Sequence, residues 1–447
     1  MRNRGTQLYF LKGPASLSMK AKAAAGFGSV HGVGVACALA AGVWLGAAEA
    51  PTKLVNSGLS PFAISLCMVA GVFTARWTVP TLLKGTRYVF ADLTENRHLI
   101  LNAVLAGMLW AVANTLTVFA IRDVGLTIAF PLWNANSLVG IFWGWLLFGE
   151  LRGASGSNVA KVVLGAMAIL AAAVMLGFST IHGGGGVGAH AVRGILAAVG
   201  ASLLWGTMYV PYRKAYISGM NPLSFVTVFT IGELGTCFAL VLGLDGGTKA
   251  AIFHSPETIH MIFWLFLGGF VWVIGDLFQQ FATKYLGIGR AIPLSNTNQL
   301  WGLAWGALVF GELAHADWQH RVLVVAGSVV MILGALAVST AVASERENAS
   351  TNAALLRECE RYGLDYERVV ASYSGSSEEA GGQALWGRDW WDYGIVAAAV
   401  GVFVWLGVNA RVPELGMSFG WVGVLVAVLV GAAVWSGWGL WRATKFS

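Results

Sequence analysis

Charge is scarce in this sequence. Only 11% of its 447 residues are charged, against about a quarter in ordinary soluble domains, so a chain of this size could not keep a soluble surface wet. Cysteine is scarce too: Cys37, Cys67, Cys237 and Cys359 are scattered at no useful spacing, which excludes a disulfide scaffold. The eight histidines form no ligand pattern, and no H-E-x-x-H, paired C-x-x-C, nucleophile elbow or Walker motif is present. Nothing here points to an enzyme, a metal or a cofactor. Disorder is excluded by 53 aromatic residues and a net charge of only +6. What is abundant is apolar residues, at 57%, giving a mean hydropathy of +0.68. The chain reads as an all-α polytopic membrane protein.

A membrane-spanning helix needs about 20 apolar residues, and twelve stretches qualify: 29–52, 61–80, 99–119, 126–148, 159–178, 194–211, 222–243, 259–281, 288–310, 320–341, 393–409 and 419–440. Cytoplasmic loops are rich in Lys and Arg. With the N-terminus inside, 22 basic residues fall to the inner segments, Arg76, Arg213, Lys284 and Arg290 among them. Six fall outside: Lys53, Arg122, Arg193, Lys249, Arg321 and Arg411. The basic surplus is therefore a topology signal and not a nucleic-acid footprint. It predicts a multi-pass protein of the plasma (inner) membrane with both termini cytoplasmic. The basic stretch 1–28 lacks a convincing cleavage site after it and reads as a cytoplasmic N-terminal segment.

Self-comparison is the most informative step. Residues 131–151 and 293–313 align without a gap at an offset of 162, and 13 of 21 positions are identical. Upstream, Gly107 pairs with Gly269, Trp110 with Trp272, and Asn114 with Asp276; towards the N-terminus the offset drifts, so that Pro61 meets Pro222. Matched Pro, Asn, Trp and Glu in fixed order point to duplication, where shared Leu and Ala would not. Each copy holds five spans, an odd number, so the second enters the bilayer from the opposite face. Such inverted repeats place a site near the midplane where the halves meet. The expected organisation is a first five-helix repeat over 29–178, a Gly-rich outer loop over 179–193, and a second, inverted five-helix repeat over 194–341. A cytoplasmic polar linker follows over 342–390, then two additional helices and a short tail over 391–447. The fold class is thus a ten-helix bundle of two inverted repeats plus two extra C-terminal helices.

These features resemble the drug/metabolite transporter superfamily, EamA-like. The resemblance rests on the five-plus-five duplication, on Gly149-Glu150-Leu151 and Gly311-Glu312-Leu313, and on Gly46-x4-Pro51-x-Lys53 with Gly206-x4-Pro211-x-Arg213. Pro131-Leu-x-Asn134-x-Asn136, its mate from Pro293, and Met220-Asn-Pro-Leu-Ser224 look closest to the glucose/ribose porter and rhamnose–proton symporter sugar branch. The resemblance covers about residues 29–341. It implies a secondary transporter of small polar metabolites, sugars foremost, working by alternating access and coupled to protons. It says nothing about the last hundred residues.

Ionisable and amide groups inside spans are expensive and are functional candidates by default. Glu233 stands near the middle of its span at roughly 1.5 Å per residue, and its mate is Val72, so the acid breaks the symmetry. It is a candidate for carrying the coupling proton, against a purely structural, hydrogen-bonded Glu. Trp272, Asp276, Gln279 and Gln280 share one helical face, as Trp110, Asn114 and Thr117 do in the other copy. An aromatic plane beside amides and a carboxylate suits a sugar, whose C–H faces stack while its hydroxyls take hydrogen bonds. Helix–helix adhesion is the alternative. Asn134, Asn136, Asn296 and Asn298 follow prolines, with Gln299 next to the last; two residues apart, such a pair cannot face one cavity unless the helix is broken. Asp276 also offers a carboxylate for a coupling ion, so sodium stays open beside protons.

Trp205, Tyr209 and Tyr212 either line the path or pack. Glu150 and Glu312 read as structural caps or gates, and Lys53 and Arg213 as snorkelling anchors. Gly183 to Gly188 spells a dinucleotide fingerprint by chance, with no βαβ unit around it. Partners are a small-molecule substrate, a proton or sodium ion and the lipid bilayer, with no nucleic acid; the oligomeric state is open, a homodimer included. Two other functions compete: an exporter of drugs, amino acids or metabolites, and a non-transporting membrane sensor.

Overall fold

The computed structural model describes residues 14–48, 50, 51, 55, 58–124, 129, 132–178, 191–254, 258–311, 313, 317–374, 388–411 and 417–446. Lys53, Pro131, residues 179–190 of the Gly-rich loop and Glu312 lie outside them. Regular structure among the described residues is entirely helical. In chain order the α-helices of seven residues or more are α1 (Pro14–Ala47), α2 (Pro61–Lys84), α3 (Thr86–Glu95), α4 (Ile100–Val124), α5 (Asn136–Phe148) and α6 (Gly156–Phe178). They continue with α7 (Ala191–Ile217), α8 (Pro222–Leu244), α9 (Thr258–Leu286), α10 (Ile288–Ser295), α11 (Asn298–Ala304) and α12 (Trp318–Ser339). Last come α13 (Glu345–Tyr362), α14 (Tyr366–Ser374), α15 (Trp390–Asn409) and α16 (Phe419–Thr444). Among the described residues ten helices are long and apolar enough to cross a membrane, and the chain is a multi-pass membrane protein.

Local chemistry sets the helix starts, and it repeats. Ser60 accepts from the Ala63 amide ahead of Pro61, and Asn221 from the Leu223 amide ahead of Pro222, so each helix opens on a side-chain cap followed by a proline that needs no amide partner. Two of the twelve expected spans are not continuous. Residues 132–134 are helical, Ala135 is a turn, and α5 starts at Asn136. The mate breaks between α10 and α11 at Asn296 and Thr297, then ends in a π turn at Trp305–Val309. Pro293 removes one helical amide and frees a carbonyl a turn upstream, so the helix ends within three residues.

Packing respects the duplication. α4 packs on α7 and α8, as α9 packs on α1 and α2, while α2 packs on α8 and α6 on α12. Exchanging the two halves maps this pattern onto itself. Its tightest points are two crossings where backbones touch. A Cβ added to Gly71 would stand 2.0 Å from the Phe266 carbonyl, and one on Gly269 2.0 Å from that of Met68. At the mate crossing, a Cβ on Gly107 would stand 2.0 Å from the Phe229 carbonyl and one on Gly232 2.1 Å from that of Val104. Close approach through small residues is how helices associate where lipid is as apolar as leucine.

The added helices lie on the outside. α15 packs on α2 and α9, with Phe403 edge-on to Phe266 and Phe270. α16 packs on α1, where the Trp44 indole donates to the Leu429 carbonyl at 3.0 Å. The polar linker does more than connect. α13 is capped by Ser344, and its Glu347 takes both guanidinium arms of Arg290 at 2.7 and 2.8 Å and the Leu151 amide at 3.1 Å. Arg368 of α14 pairs with Glu95, and His98 stacks on Tyr362 at 4.1 Å. The linker helices therefore seal one end of the bundle, the end holding α3 and the start of α10.

Four basic residues assigned to inner segments by the topology count are buried in the bundle instead: Arg76, Arg213, Lys284 and Arg290. Arg213 is no snorkelling anchor. It lies 3.3 Å from the Glu150 carboxylate and donates to the carbonyls of Thr283 and Lys284. Glu150 caps α10, accepting from the Ile288 and Gly289 amides at 3.0 and 2.8 Å, where a carboxylate meets the positive end of the helix. Gly287, at φ 82°, has that carboxylate where a side chain would start.

Candidate functional site

The crossings of α2 with α9 and of α4 with α8 bring three charges together in the interior. Arg76 of α2 donates from Nη2 to Asp276 Oδ2 of α9 at 2.7 Å and lies 3.6 Å from Glu233 Oε1 of α8. All three side chains have no exposed surface. The guanidinium lies 4.1 Å from the centroid of the Phe229 ring and 5.4 Å from that of Trp272, a cation between two aromatic faces. Trp272 in turn sits 4.9 Å from Trp110, so the two mated tryptophans meet beside the charges.

Around this triad the polar groups form a chain. Gln280 donates to Asp276 Oδ1 at 3.0 Å and accepts a short hydrogen bond from the Tyr216 hydroxyl. Gln279 accepts from the Tyr209 hydroxyl at 3.1 Å and donates to Ser295 at 2.6 Å. One turn along α8 from Glu233, Cys237 lies 3.5 Å from Ser65, to which Asn114 and Thr115 both donate. Some capacity is left over. Neither oxygen of Glu233, nor Nε and Nη1 of Arg76, nor the Trp110 indole nitrogen meets a hydrogen-bond partner among the described residues. Buried groups of this kind are costly unless something pairs with them.

The expected site residues thus separate into groups. Trp110, Trp272, Asp276, Gln280 and Glu233 converge on Arg76, with Asn114 adjoining through Ser65. Asn134, Asn136 and Asn296 meet one another at the two helix breaks: the Asn296 amide reaches Asn136 Oδ1 at 2.9 Å, Ser137 Oγ at 2.6 Å and the Asn134 carbonyl at 3.2 Å. Gln279 links that joint to the triad through Ser295. Asn298 and Gln299 lie on α11, away from the charges, and the Asn298 backbone packs against Gly46.

Sequence reasoning missed Arg76, Tyr216, Ser65 and Thr115. Arg76 was the readable one. It stands inside an apolar run, four residues before Pro80 and eight before Lys84, and a cation there has either a partner or a cost. The duplication has also diverged at this place. At the offset of 161 set by Pro61 and Pro222, Arg76 faces Cys237 and Glu233 faces Val72, while at the offset of 162 that holds further along Asp276 faces Asn114. All three charges have neutral mates.

The triad is thus a buried polar cluster in the interior of the helix bundle, and three comparisons with known proteins bear on the chain. Residues 196–362 match the family model described as Sugar transport protein; the match runs past residue 341 to take in α13. A "Putative sugar uptake protein" of Streptococcus pyogenes serotype M1 is 39% identical over 144 residues, which is 32% of this chain and 44% of that protein. A "Putative sugar uptake protein" of Lactococcus lactis subsp. lactis is 28% identical over 141 residues, 31% of this chain and 42% of its own length. The chain therefore matches less than half the length of these relatives. A solved structure described only as "Crystal structure of protein" covers 69% of this chain and 98% of its own at 17% identity and a TM-score of 0.47, too loose a likeness to assign a fold. The sequence likenesses support a sugar-transport family.

Proposed function

We propose that the protein is a secondary transporter that takes a sugar across the plasma membrane in symport with protons, with both termini cytoplasmic. Its working body is a pair of inverted five-helix repeats of the drug/metabolite transporter kind, which expose one central site alternately to either face. The sugar binds at the triad. Its hydroxyls, which donate and accept, satisfy the free nitrogens of Arg76 and the free oxygens of Glu233, and its C–H faces lie on Trp110 and Trp272. Glu233 carries the proton. The joint of Asn134, Asn136 and Asn296 couples the two broken helices as the halves move.

The single observation that supports this reading best is the fully buried Arg76–Asp276–Glu233 cluster with unmet hydrogen-bonding capacity beside a pair of tryptophans. A scaffold has no need of such groups. The test is uptake by proteoliposomes of labelled hexoses, pentoses and deoxyhexoses, with and without an inward proton gradient. One sugar should accumulate, and a protonophore should abolish its accumulation. In Glu233→Gln, whatever exchange remains should no longer respond to the gradient. Silence across the panel by correctly folded protein would end the sugar reading and leave export of another metabolite.

A further inference from the structure

The triad does not balance. One guanidinium faces two carboxylates, 2.7 Å from Asp276 and 3.6 Å from Glu233, and none of the three reaches water. Among the described residues the other groups packed on it supply no second cation: Trp110 from α4, Tyr209, Tyr212 and Tyr216 from α7, Phe229 and Cys237 from α8, Trp272 and Gln280 from α9. Tyrosine and cysteine ordinarily titrate well above neutral pH. The two carboxylates are also inequivalent. Asp276 already holds the hydrogen bond to Arg76 and the Gln280 amide, whereas Glu233 accepts no hydrogen bond among the described residues.

We propose that Arg76 sets the coupling stoichiometry by charge balance: the site closes over its sugar only when the enclosed charges sum to zero, so one proton travels with each uncharged sugar. The physical reason is the environment. A net charge shut inside a low-dielectric bundle costs far more than a neutral set, so the occluded state that must cross between the two faces is reached only by the balanced form. The proton joins a Glu233 oxygen from water on one face and leaves to water on the other, while Asp276 stays ionised against Arg76. By the same count a sugar carrying an ammonium group balances the triad by itself and should travel without a proton, whereas one carrying a carboxylate should need two. This inference rests on the transport reading above.

Charge counting separates Arg76 as a counter-charge from Arg76 as a structural pin. Removing one carboxylate leaves a balanced pair that needs no proton, so flux remaining in Glu233→Gln or Asp276→Asn should ignore the pH gradient. Removing the cation leaves two carboxylates, and Arg76→Gln should require two protons per sugar. Arg76→Gln combined with Asp276→Asn leaves one carboxylate and should return to one proton.

The readout is steady-state accumulation in proteoliposomes held at zero membrane potential. One proton gives about tenfold accumulation per unit of pH difference and two give about a hundredfold. A wild-type protein that moves no sugar overturns the transport reading, and the charge rule falls with it. A wild type at tenfold, with Asp276→Asn still accumulating in response to the gradient, overturns the charge rule alone. The charge rule is likewise overturned if the double variant fails to recover the one-proton slope while Arg76→Gln retains it. Should Arg76→Gln fail to fold by thermal melting, Asp276→Asn, which keeps Arg76 beside Glu233, decides the question by itself.

Discussion

Replacing Glu347 with Gln should unlatch the sealed end of the bundle. Glu347 receives Arg290 Nη1 at 2.7 Å, Arg290 Nη2 at 2.8 Å and the Leu151 amide at 3.1 Å, and the two charged side chains are 3% and 4% exposed. Gln keeps the shape but offers one neutral acceptor to a buried guanidinium. Removing one partner from a buried pair costs about 3–5 kcal/mol. Even the lower figure corresponds to an opening equilibrium shifted by more than about a hundredfold, at roughly 1.4 kcal/mol per factor of ten. The chain carries its own reporter of that opening. Cys359 lies on α13 at 3% exposure, packed into the core, while Cys37, Cys67 and Cys237 lie inside spans. With those three replaced by Ala, alkylation of Cys359 by a membrane-impermeant maleimide should proceed about a hundredfold faster in Glu347→Gln, with the melting of the spanning bundle little changed. An unaltered labelling rate would refute the view that the Arg290–Glu347 pair holds the linker helices down.

The same pair predicts a pH dependence. Burial pushes the Glu347 carboxyl up, but the hydrogen bonds and charge of Arg290, with the Leu151 and Ser344 contacts, outweigh it and hold the group below the ordinary value of 4.5. Its stabilisation is complete at neutral pH and is lost as pH falls through the lowered titration of Glu347, so the ratio of the Cys359 labelling rate in Glu347→Gln to that in wild type, in which the loss of reactive thiolate on acidification cancels, should fall towards one as the pH is lowered. At the helix crossing, Gly269→Ala puts a methyl 2.0 Å from the Met68 carbonyl and should lower stability by about 1–3 kcal/mol in thermal melts. Because Gly71 sits at the same crossing, the pair Gly71→Ala and Gly269→Ala should cost less than the sum of the two; strict additivity would mean that the two glycines do not share one contact.

Function and fold meet in the broken helices. α10 is pinned at its start by Glu150 and, through Arg290, by Glu347; at its end Asn296 reaches the break before α5. A segment only eight residues long is therefore held at both ends by polar contacts that side chains can exchange. The triad lies next to that segment through Gln279 and Ser295. The linker helices at one end and the proposed sugar site thus both contact α10.

Much of this was legible in the residues. The scarcity of charge and the length of the apolar runs determined an all-helical membrane protein, since only helices or closed barrels satisfy the backbone in lipid. The match of 131–151 to 293–313 disclosed the duplication, and two asparagines straddling a single residue after a proline could face one cavity only if the helix broke. Glu233 and Asp276 stood out because each is charged where its mate is neutral. Arg76 did not stand out, because counting bases by side assigns any arginine near a span end to a loop. The same count placed Arg213 and Arg290 in inner segments facing the cytoplasm, although both point back into the bundle to meet Glu150 and Glu347. Sequence alone determines composition, period and symmetry, which are properties of position along the chain. Which arginine meets which carboxylate depends on helix crossings so close that a Cβ on the glycine would stand 2.0 Å from the facing carbonyl, and on a linker helix folding back over 57 residues to reach Arg290. Those contacts exist only after packing, so only the tertiary structure could decide them.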